Sequence, residues 1–367
     1  MMRGKEQLSN FQIAMMIMLF EIGSTPLFFI GAKAKQDAWL AMLIAAGFGL
    51  LTLWLFLSIQ NRQPNQNLIG ILQIYFGRIF GSIIGLTYIL YFSYESMRNV
   101  RDFGELMAVS LLSNTPMFIT MLIVILIAAY GIYQGVEVIF RMAEVLLPIV
   151  FISYLILILL IFITDIAHFE MLAPVMENGF LPVLNAAFPD IVSFPFGQMI
   201  VFLMFWHYCS KQGNPRKVSF LAYIAVAALL IFLNVMNIAV LGPGLAGISA
   251  LPLLQVVQLI SFIKVFERMD PFMTLLIYIG LFMKMIIFYL CAVLGLSQLT
   301  GKSYRFWIVP IGAVIFGTSF LEPNYTIHIS LGFTISLKLF TVFQMIIPVG
   351  LGLTMLLMNK KAVGKSQ

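Results

Sequence analysis

The sequence predicts an all-α integral membrane protein with ten transmembrane helices in a five-plus-five inverted repeat, its first and sixth helices broken. Three observations lead there. The composition is too apolar for a surface that faces water, the chain divides into long runs nearly free of charge, and polar interruptions fall at matching places in its two halves.

Of the 367 residues, 61% are hydrophobic and 10% charged, with a mean hydropathy of +1.02. A soluble domain carries about 25% charged residues. In lipid, backbone groups are satisfied only within helices or in a closed barrel. A barrel would show short alternating segments, whereas this chain shows runs long enough for helices of about 20 residues. The runs are 11–33, 38–59, 80–108, 116–133, 143–164, 185–209, 218–241, 271–298, 304–321 and 334–358. The stretch 251–268 ends in Lys264, Glu267 and Arg268 and reads as an amphipathic interfacial helix. The whole chain, 1–367, reads as one polytopic domain, with repeats at about 11–164 and 185–358.

Charge placement sets the expected orientation. With the N-terminus in the cytosol, the inner segments hold Arg3, Lys5, Arg62, Arg78, Arg141, Lys211, Arg216, Lys217, Lys302, Arg305, Lys360, Lys361 and Lys365. The outer connections hold Lys33, Lys35, Lys264 and Arg268, which is thirteen cations against four. Both termini are therefore expected in the cytosol. The net charge of +6 follows from this asymmetry. The basic residues form no single patch, so nucleic acid is not an expected partner. No cleavable leader is expected, because Lys33, Lys35 and Asp37 follow the first apolar run without a small-residue cleavage pattern. Cys209 and Cys291 read as apolar packing residues.

The first run is interrupted by Glu21-Ile22-Gly23-Ser24-Thr25-Pro26. Gly23 weakens a helix, Ser24 or Thr25 suits an N-cap, and Pro26 suits the first position of a new helix. Two half-helices meeting near mid-membrane are expected; a simple proline kink is the other reading. The sixth run carries a similar break at Ser193-Phe194-Pro195-Phe196-Gly197-Gln198. The third and eighth runs each follow a shorter amphipathic piece, 64–76 and 251–268. Corresponding interruptions in two halves point to a midplane binding site in inverted-repeat folds. The N-terminal end of the second half-helix, at Ser24 to Pro26, would attract a carboxylate. Carbonyls near Ile22 and Phe194 would attract an ammonium group or a cation. A zwitterionic amino acid matches both poles, and other small polar nutrients also fit.

Charged residues inside the spans cost roughly 2.5–3.5 kcal/mol each, so their presence asks for a reason. Glu21 is either a proton- or amine-binding group on the cavity or a neutral group bonded to a neighbouring helix. In the third run Tyr88, Tyr91, Glu95, Arg98, Asp102 and Glu105 fall at spacings of three and four, on one face. Glu95, Arg98 and Asp102 read as a paired extracellular gate, with the tyrosines reaching the cavity; a salt-bridge ladder that only docks the helix is the alternative. Lys284 has Glu21 or Glu95 as candidate partners. Gly77, Gly81 and Gly85 stand at small-xxx-small spacing and mark close helix packing. His168, His207 and His328 lie in separate segments without metal-ligand spacing. No metal site, cofactor or catalytic centre is expected.

These segments carry a resemblance. FEIGSTPLFFIGAKAKQDAWLAMLIA (20–45), IGLTYILYFSYESMRNVRDFGELM (84–107), FPFGQMIVFLMFW (194–206), FIKVFERMDPF (262–272) and LFMKMIIFYLCAVLGLSQL (281–299) resemble the B subunits of spore germination receptors. That GerAB-like family is a branch of the amino acid–polyamine–organocation superfamily, with a LeuT-like broken-helix fold. The string Gln36-Asp37-Ala38-Trp39 is the most specific match. The resemblance implies a receptor in the spore inner membrane that senses amino acids or related nutrients and triggers ion release. It implies two partners, an A-type membrane subunit and a C-type lipoprotein subunit. It also implies that Gly23, Ser24, Thr25, Pro26, Pro195, Phe196 and Gly197 line the nutrient pocket, with Tyr91 and Glu95 as further candidates. A proton- or Na⁺-coupled amino acid transporter would share the same fold and pocket.

Overall fold

Seven helical segments among the described residues are long and apolar enough to cross a membrane: Ala32–Arg62, Met117–Gln134, Val136–Ile163, Phe180–Met204, Pro215–Ile248, Thr274–Thr300 and Tyr325–Met358. The protein is a multi-pass membrane protein. The computed structural model describes residues 7–209, 214–262 and 270–363. Arg3, Lys5, Lys211, Lys264, Glu267, Arg268 and Lys365 lie outside the described residues. Among the described residues there is no β-strand, only helices, turns and connecting segments, with one isolated bridge that pairs Leu8 with Cys209. Large apolar side chains such as Leu51, Leu90, Leu126, Leu159 and Leu356 are exposed around the outside, as expected of a surface that faces acyl chains.

Three further helices fall short of that seven for plain reasons. Helix α1 (Asn10–Ile22) has 13 residues. Helix α11 (Tyr304–Thr318) has 15. Helix α4 (Arg78–Ser110) is 33 residues long but carries the charged stripe.

Helix α1 starts in a capping box: Gln12 N–H donates to Ser9 Oγ at 3.1 Å, and Ser9 N–H donates to Gln12 Oε1 at 2.9 Å. It stops at Gly23 (φ 22°), a conformation that a side chain would strain. A three-residue 3-10 turn, Thr25–Leu27, follows, then extended chain at Phe28 and a second 3-10 segment, Ala32–Asp37, that leads into α2 (Ala38–Arg62).

Helix α3 (Leu68–Phe76), capped by Asn67, folds back at Gly77 onto α4. A side-chain carbon at Gly81 would lie 2.5 Å from the Leu72 carbonyl, so the small residue there permits the close α3–α4 contact. Helices α5 (Met117–Gln134) and α6 (Val136–Ile163) meet at Gly135. Helix α6 begins seven residues before the expected 143, because the exposed Arg141–Glu137 pair (2.6 Å) lets a charged turn join the helix.

The sixth run is less regular than expected. Helix α7 (Phe180–Ala186) gives way to a π turn, Ala187–Ile191, with extended φ/ψ at Phe188, and then to a 3-10 helix, Phe196–Met204. Helix α8 (Pro215–Ile248) breaks helical geometry at Gly242, just before Pro243. Helix α9 (Pro252–Phe262) buries Leu253, Val256, Val257 and Ile260, which is the apolar face of the expected amphipathic piece. Helix α10 (Asp270–Thr300) runs along α4 in the most extensive helix pairing.

The last rod starts at Tyr325, nine residues before the expected 334, where Asn324 Oδ1 accepts from Ile327 N–H at 2.9 Å. It comprises α12 (Tyr325–Leu331), α13 (Leu337–Thr341) and α14 (Ile347–Val363), joined by π turns at Gly332–Ser336 and Val342–Ile346.

Candidate functional site

The end of α1 is finished by its own next turn. Thr25 Oγ1 donates to the Glu21 carbonyl at 2.6 Å, and Gly23 N–H donates to the Leu19 carbonyl at 3.0 Å. This corrects the expected polarity. Neither Ser24 nor Thr25 caps a new helix, and three residues of 3-10 turn carry no appreciable helix dipole for a carboxylate. The Glu21 carbonyl is likewise occupied.

What Gly23 provides is closeness to α10. A side-chain carbon there would lie 2.7 Å from Lys284 Cδ, and one on Gly280 would run into the Gly23 carbonyl. Lys284 is fully buried, and its Nζ sits 5.3 Å from the Phe20 ring centroid and 4.6 Å from that of Phe194. It makes no ion pair with Glu21 or Glu95 among the described residues, contrary to expectation; its ammonium is held against aromatic faces. Glu21 is also fully buried, and neither carboxylate oxygen has a hydrogen-bond partner among the described residues.

Around Pro195 the chain is held by backbone bonds: Phe194 N–H donates to the Asp190 carbonyl (2.9 Å), and Gln198 N–H to the Pro195 carbonyl (3.0 Å). A side-chain carbon at Gly197 would collide with Gln344 Oε1 and lie 2.8 Å from the Val192 carbonyl, so this glycine serves packing. Phe196 packs against Tyr223, with ring centroids 5.6 Å apart. The turn aims Gln198 at α4, where its Nε2 donates to Glu95 Oε2 at 2.8 Å.

The α4 stripe does share one face, but its partners differ from those expected. Arg98 Nη1 lies 3.6 Å from Glu322 Oε1, and its Nη2 donates to the His328 carbonyl at 3.0 Å. Asp102 Oδ1 meets His328 Nε2 at 3.1 Å, while His328 Nδ1 meets Glu322 Oε2. The expected Glu95–Arg98–Asp102 gate is therefore replaced by a network that ties α4 to the α11–α12 turn. Burial raises the Glu322 carboxyl, but the His328 hydrogen bond and the positive charges of His328, Arg98 and Arg101 outweigh it and hold the group below its ordinary value. Glu105 pairs with Arg101 at 2.6 Å. The tyrosines point away from the cavity described next: Tyr88 OH donates to the Phe343 carbonyl (2.6 Å), and Tyr91 OH accepts from Gln344 Nε2 (2.8 Å). Tyr91 is enclosed by Phe340 and Phe343, the latter stacked at 4.9 Å.

Two cavities flank one aromatic cluster. The inner one, of about 50 Å³, is lined by Ser24, Glu95, Arg98, Asn99, Asp102 and Gln198, together with Phe28, Phe194 and Phe333. The larger one, of about 580 Å³, lies beside Lys33 and Asp190, themselves paired at 2.5 Å. Phe28, Phe194 and Phe333 line both. Phe28 packs edge-on against Phe194 at 6.2 Å and against Phe333 at 5.6 Å. Of the expected pocket residues, the inner cavity thus gathers Ser24, Phe194, Glu95, Arg98 and Asp102. Thr25 and Pro26 face a separate cleft of about 20 Å³ toward α8, and Gly23, Pro195, Phe196, Gly197 and Tyr91 serve packing around it. Asn99, Phe28, Phe333, Glu322 and His328 escaped sequence reasoning. Asn99 alone had a local signal, one helical turn beyond Glu95.

Residues 7–327 match the model of a family described as spore germination protein. Spore germination protein KB of Bacillus subtilis (strain 168) is 29% identical over 349 residues, covering 94% of this chain and 93% of that one. Spore germination protein YndE of the same organism is 25% identical over 310 residues, 82% of each chain. Among solved structures, Mhp1, a nucleobase-cation-symport-1 family transporter in a closed conformation with bromovinylhydantoin bound, superposes with a TM-score of 0.65 at 12% identity. That likeness covers 89% of this chain and 75% of Mhp1, and it shows that the two share a transporter fold. The chain belongs to the spore germination protein family.

Proposed function

We propose that this protein is the nutrient-sensing membrane subunit of a spore germination receptor, and that it binds a small polar nutrient such as an amino acid in the inner cavity. In this reading the chain crosses the spore inner membrane ten times as two inverted five-helix repeats, with the first and sixth crossings broken and both termini cytosolic. Its partners are an A-type membrane subunit and a C-type lipoprotein subunit.

One observation carries the reading. Buried polar groups from α1's end (Ser24), α4 (Glu95, Asn99) and the sixth run (Gln198) converge on one cavity behind an aromatic lid. Burying such groups together costs free energy that packing alone does not require. Ligand entry would part Phe28 from Phe194 and Phe333 and strain the Arg98–Glu322–His328 network, passing a change in α12 to the partner subunits. Glu21 and Lys284, behind the break in α1, are the candidate proton- or ion-linked groups.

The test is a nutrient dose–response in spores carrying Ser24→Leu, a change that fills the cavity and leaves the lid residues themselves unaltered. A response shifted to higher nutrient, with the receptor still assembled, supports the reading; an unchanged curve defeats it. The transporter fold shared with Mhp1 favours a second reading, a proton- or Na⁺-coupled amino acid transporter. Proteoliposome uptake separates the two: saturable gradient-driven accumulation supports transport, and binding without turnover supports the receptor.

A further inference from the structure

Three residues of the inner cavity's wall each carry an acceptor atom that lacks a donor among the described residues. Glu95, Asn99 and Gln198 all line that cavity, and each is at least nine-tenths buried. Gln198 Nε2 donates to Glu95 Oε2 at 2.8 Å, and Asn99 Nδ2 donates to the Glu95 carbonyl at 2.8 Å. Both bonds fix which way the amides point, because an NH₂ group must face each oxygen. What remains is Gln198 Oε1, Asn99 Oδ1 and Glu95 Oε1, none of which has a hydrogen-bond partner among the described residues. Three acceptors, one of them on a carboxyl group, belong to residues that line one cavity and lack a donor.

The protein's own cations do not fill the role. Arg98 is directed to Glu322, Tyr94 and the His328 carbonyl. Arg101 is directed to Glu105 and the Ser319 carbonyl. Lys284 lies against the Phe20 and Phe194 rings, and its buried Nζ, itself without a hydrogen-bond partner among the described residues, reaches none of the three oxygens. Buried acceptors left unmade are costly, and three of them match the three N–H bonds of a primary ammonium.

Resting on the nutrient-pocket reading, we propose that the inner cavity is a primary-ammonium site, in which the ligand's –NH₃⁺ donates one bond each to Glu95 Oε1, Asn99 Oδ1 and Gln198 Oε1. The cavity's volume of about 50 Å³ admits the ammonium head and its first carbon. The rest of the ligand extends toward Phe28 and Phe194. A carboxylate is not required. Recognition then depends on N–H donors as well as on charge.

The experiment is a thermal-shift and calorimetric titration of the purified full-length protein at matched ionic strength. The probes are n-propylammonium, L-alanine, tetramethylammonium, propionate and D-glucose. Stabilisation by n-propylammonium and L-alanine, with none by tetramethylammonium or propionate, supports the proposal. Loss of a charge-assisted bond in Glu95→Gln should weaken n-propylammonium binding by about tenfold or more. The comparison of n-propylammonium with tetramethylammonium on the unaltered protein decides the matter even where Glu95→Gln fails to fold. Equal stabilisation by the two cations, or by propionate, overturns the proposal. Stabilisation by D-glucose alone, together with a shifted spore response in Ser24→Leu, would also overturn it while leaving the nutrient-sensing reading intact.

Discussion

His328 Nε2 lies 3.1 Å from Asp102 Oδ1 in the protein interior and joins α12 to α4 across 226 residues of sequence. The other ring nitrogen faces Glu322. A neutral imidazole has one N–H, so donating to both carboxylates requires the imidazolium or a shared proton. Asp102 and Arg98 belong to the inner cavity's wall as well as to this network, which makes the network the structural link between the pocket and the last helical rod.

Removing the histidine should therefore be costly. Taking one partner from a buried charged cluster costs about 3–5 kcal/mol, because the remaining charges lose their compensation. His328→Leu is expected to lower the melting temperature of the purified protein, and His328→Leu combined with Arg98→Leu, Asp102→Leu and Glu322→Leu, which removes all four charged members, to recover much of the loss. A quadruple variant no more stable than the single one would show that the cluster is not an electrostatic unit.

The same cluster sets an acid limit. The Glu322 carboxyl is held below its ordinary value. A carboxyl depressed in the folded state adds stability above its unfolded value, about 4.3, and loses it as pH falls through the folded value. Below roughly pH 4.3 the native protein should lose stability more steeply than Glu322→Gln, which has no carboxyl to protonate. Parallel melting curves between pH 5 and pH 3 (roughly the interval that brackets a glutamate's titration) would refute the assignment.

Gly280 is the tighter of the two glycines on α10. An added side-chain carbon there would collide with the Gly23 carbonyl, a backbone atom at the end of α1 that has no rotamer to escape into. Overpacking of this kind typically costs about 1–3 kcal/mol. Gly280→Ala is expected to lower the melting temperature by an amount in that range, whereas Gly317→Ala, with nothing within 4 Å of the added carbon, should not. Equal melting temperatures for the two variants would contradict the close α1–α10 contact.

What the sequence disclosed divides along physical lines. The stop at Gly23 was legible because glycine and proline act locally, and the α4 stripe because a period of three and four needs only one helix. Gln198 with Glu95, and Asp102 with His328, are 103 and 226 residues apart, and no local pattern encodes such a contact. Pro26 suits both a new α-helix and a short 3-10 turn, so the sequence did not reveal that the chain turns extended at Phe28. Tyr91 shares the face of Glu95, yet Phe340 and Phe343 close over it one turn away, a fact of packing. The family-specific Gln36-Asp37 string proves to be a fastening. Asp37 Oδ1 accepts from Met176 N–H at 2.9 Å, and Gln36 donates to Glu177 at 3.0 Å, which pins the 165–184 connection to the start of α2.

The aromatic lid yields a kinetic prediction. Phe28 alone contacts both other lid rings, with centroids 6.2 Å from Phe194 and 5.6 Å from Phe333. Each edge-on pair is worth about 0.5–1.5 kcal/mol beyond its buried area. Removing both in Phe28→Ala should make opening easier by about 1–3 kcal/mol, and so speed access to the inner cavity by roughly 5- to 140-fold. In a Cys209→Ser background, a thiol introduced as Ser24→Cys reports that access, because residue 24 lines the inner cavity and the remaining cysteine, Cys291, is fully buried elsewhere. Labelling by a small cationic thiol reagent should be slow in Ser24→Cys and markedly faster in Ser24→Cys with Phe28→Ala. A Phe316→Ala background, whose ring pairs with Phe320 away from the lid, should leave the rate unchanged. Equal labelling rates in all three proteins would mean that ligands reach the cavity by a route that bypasses Phe28.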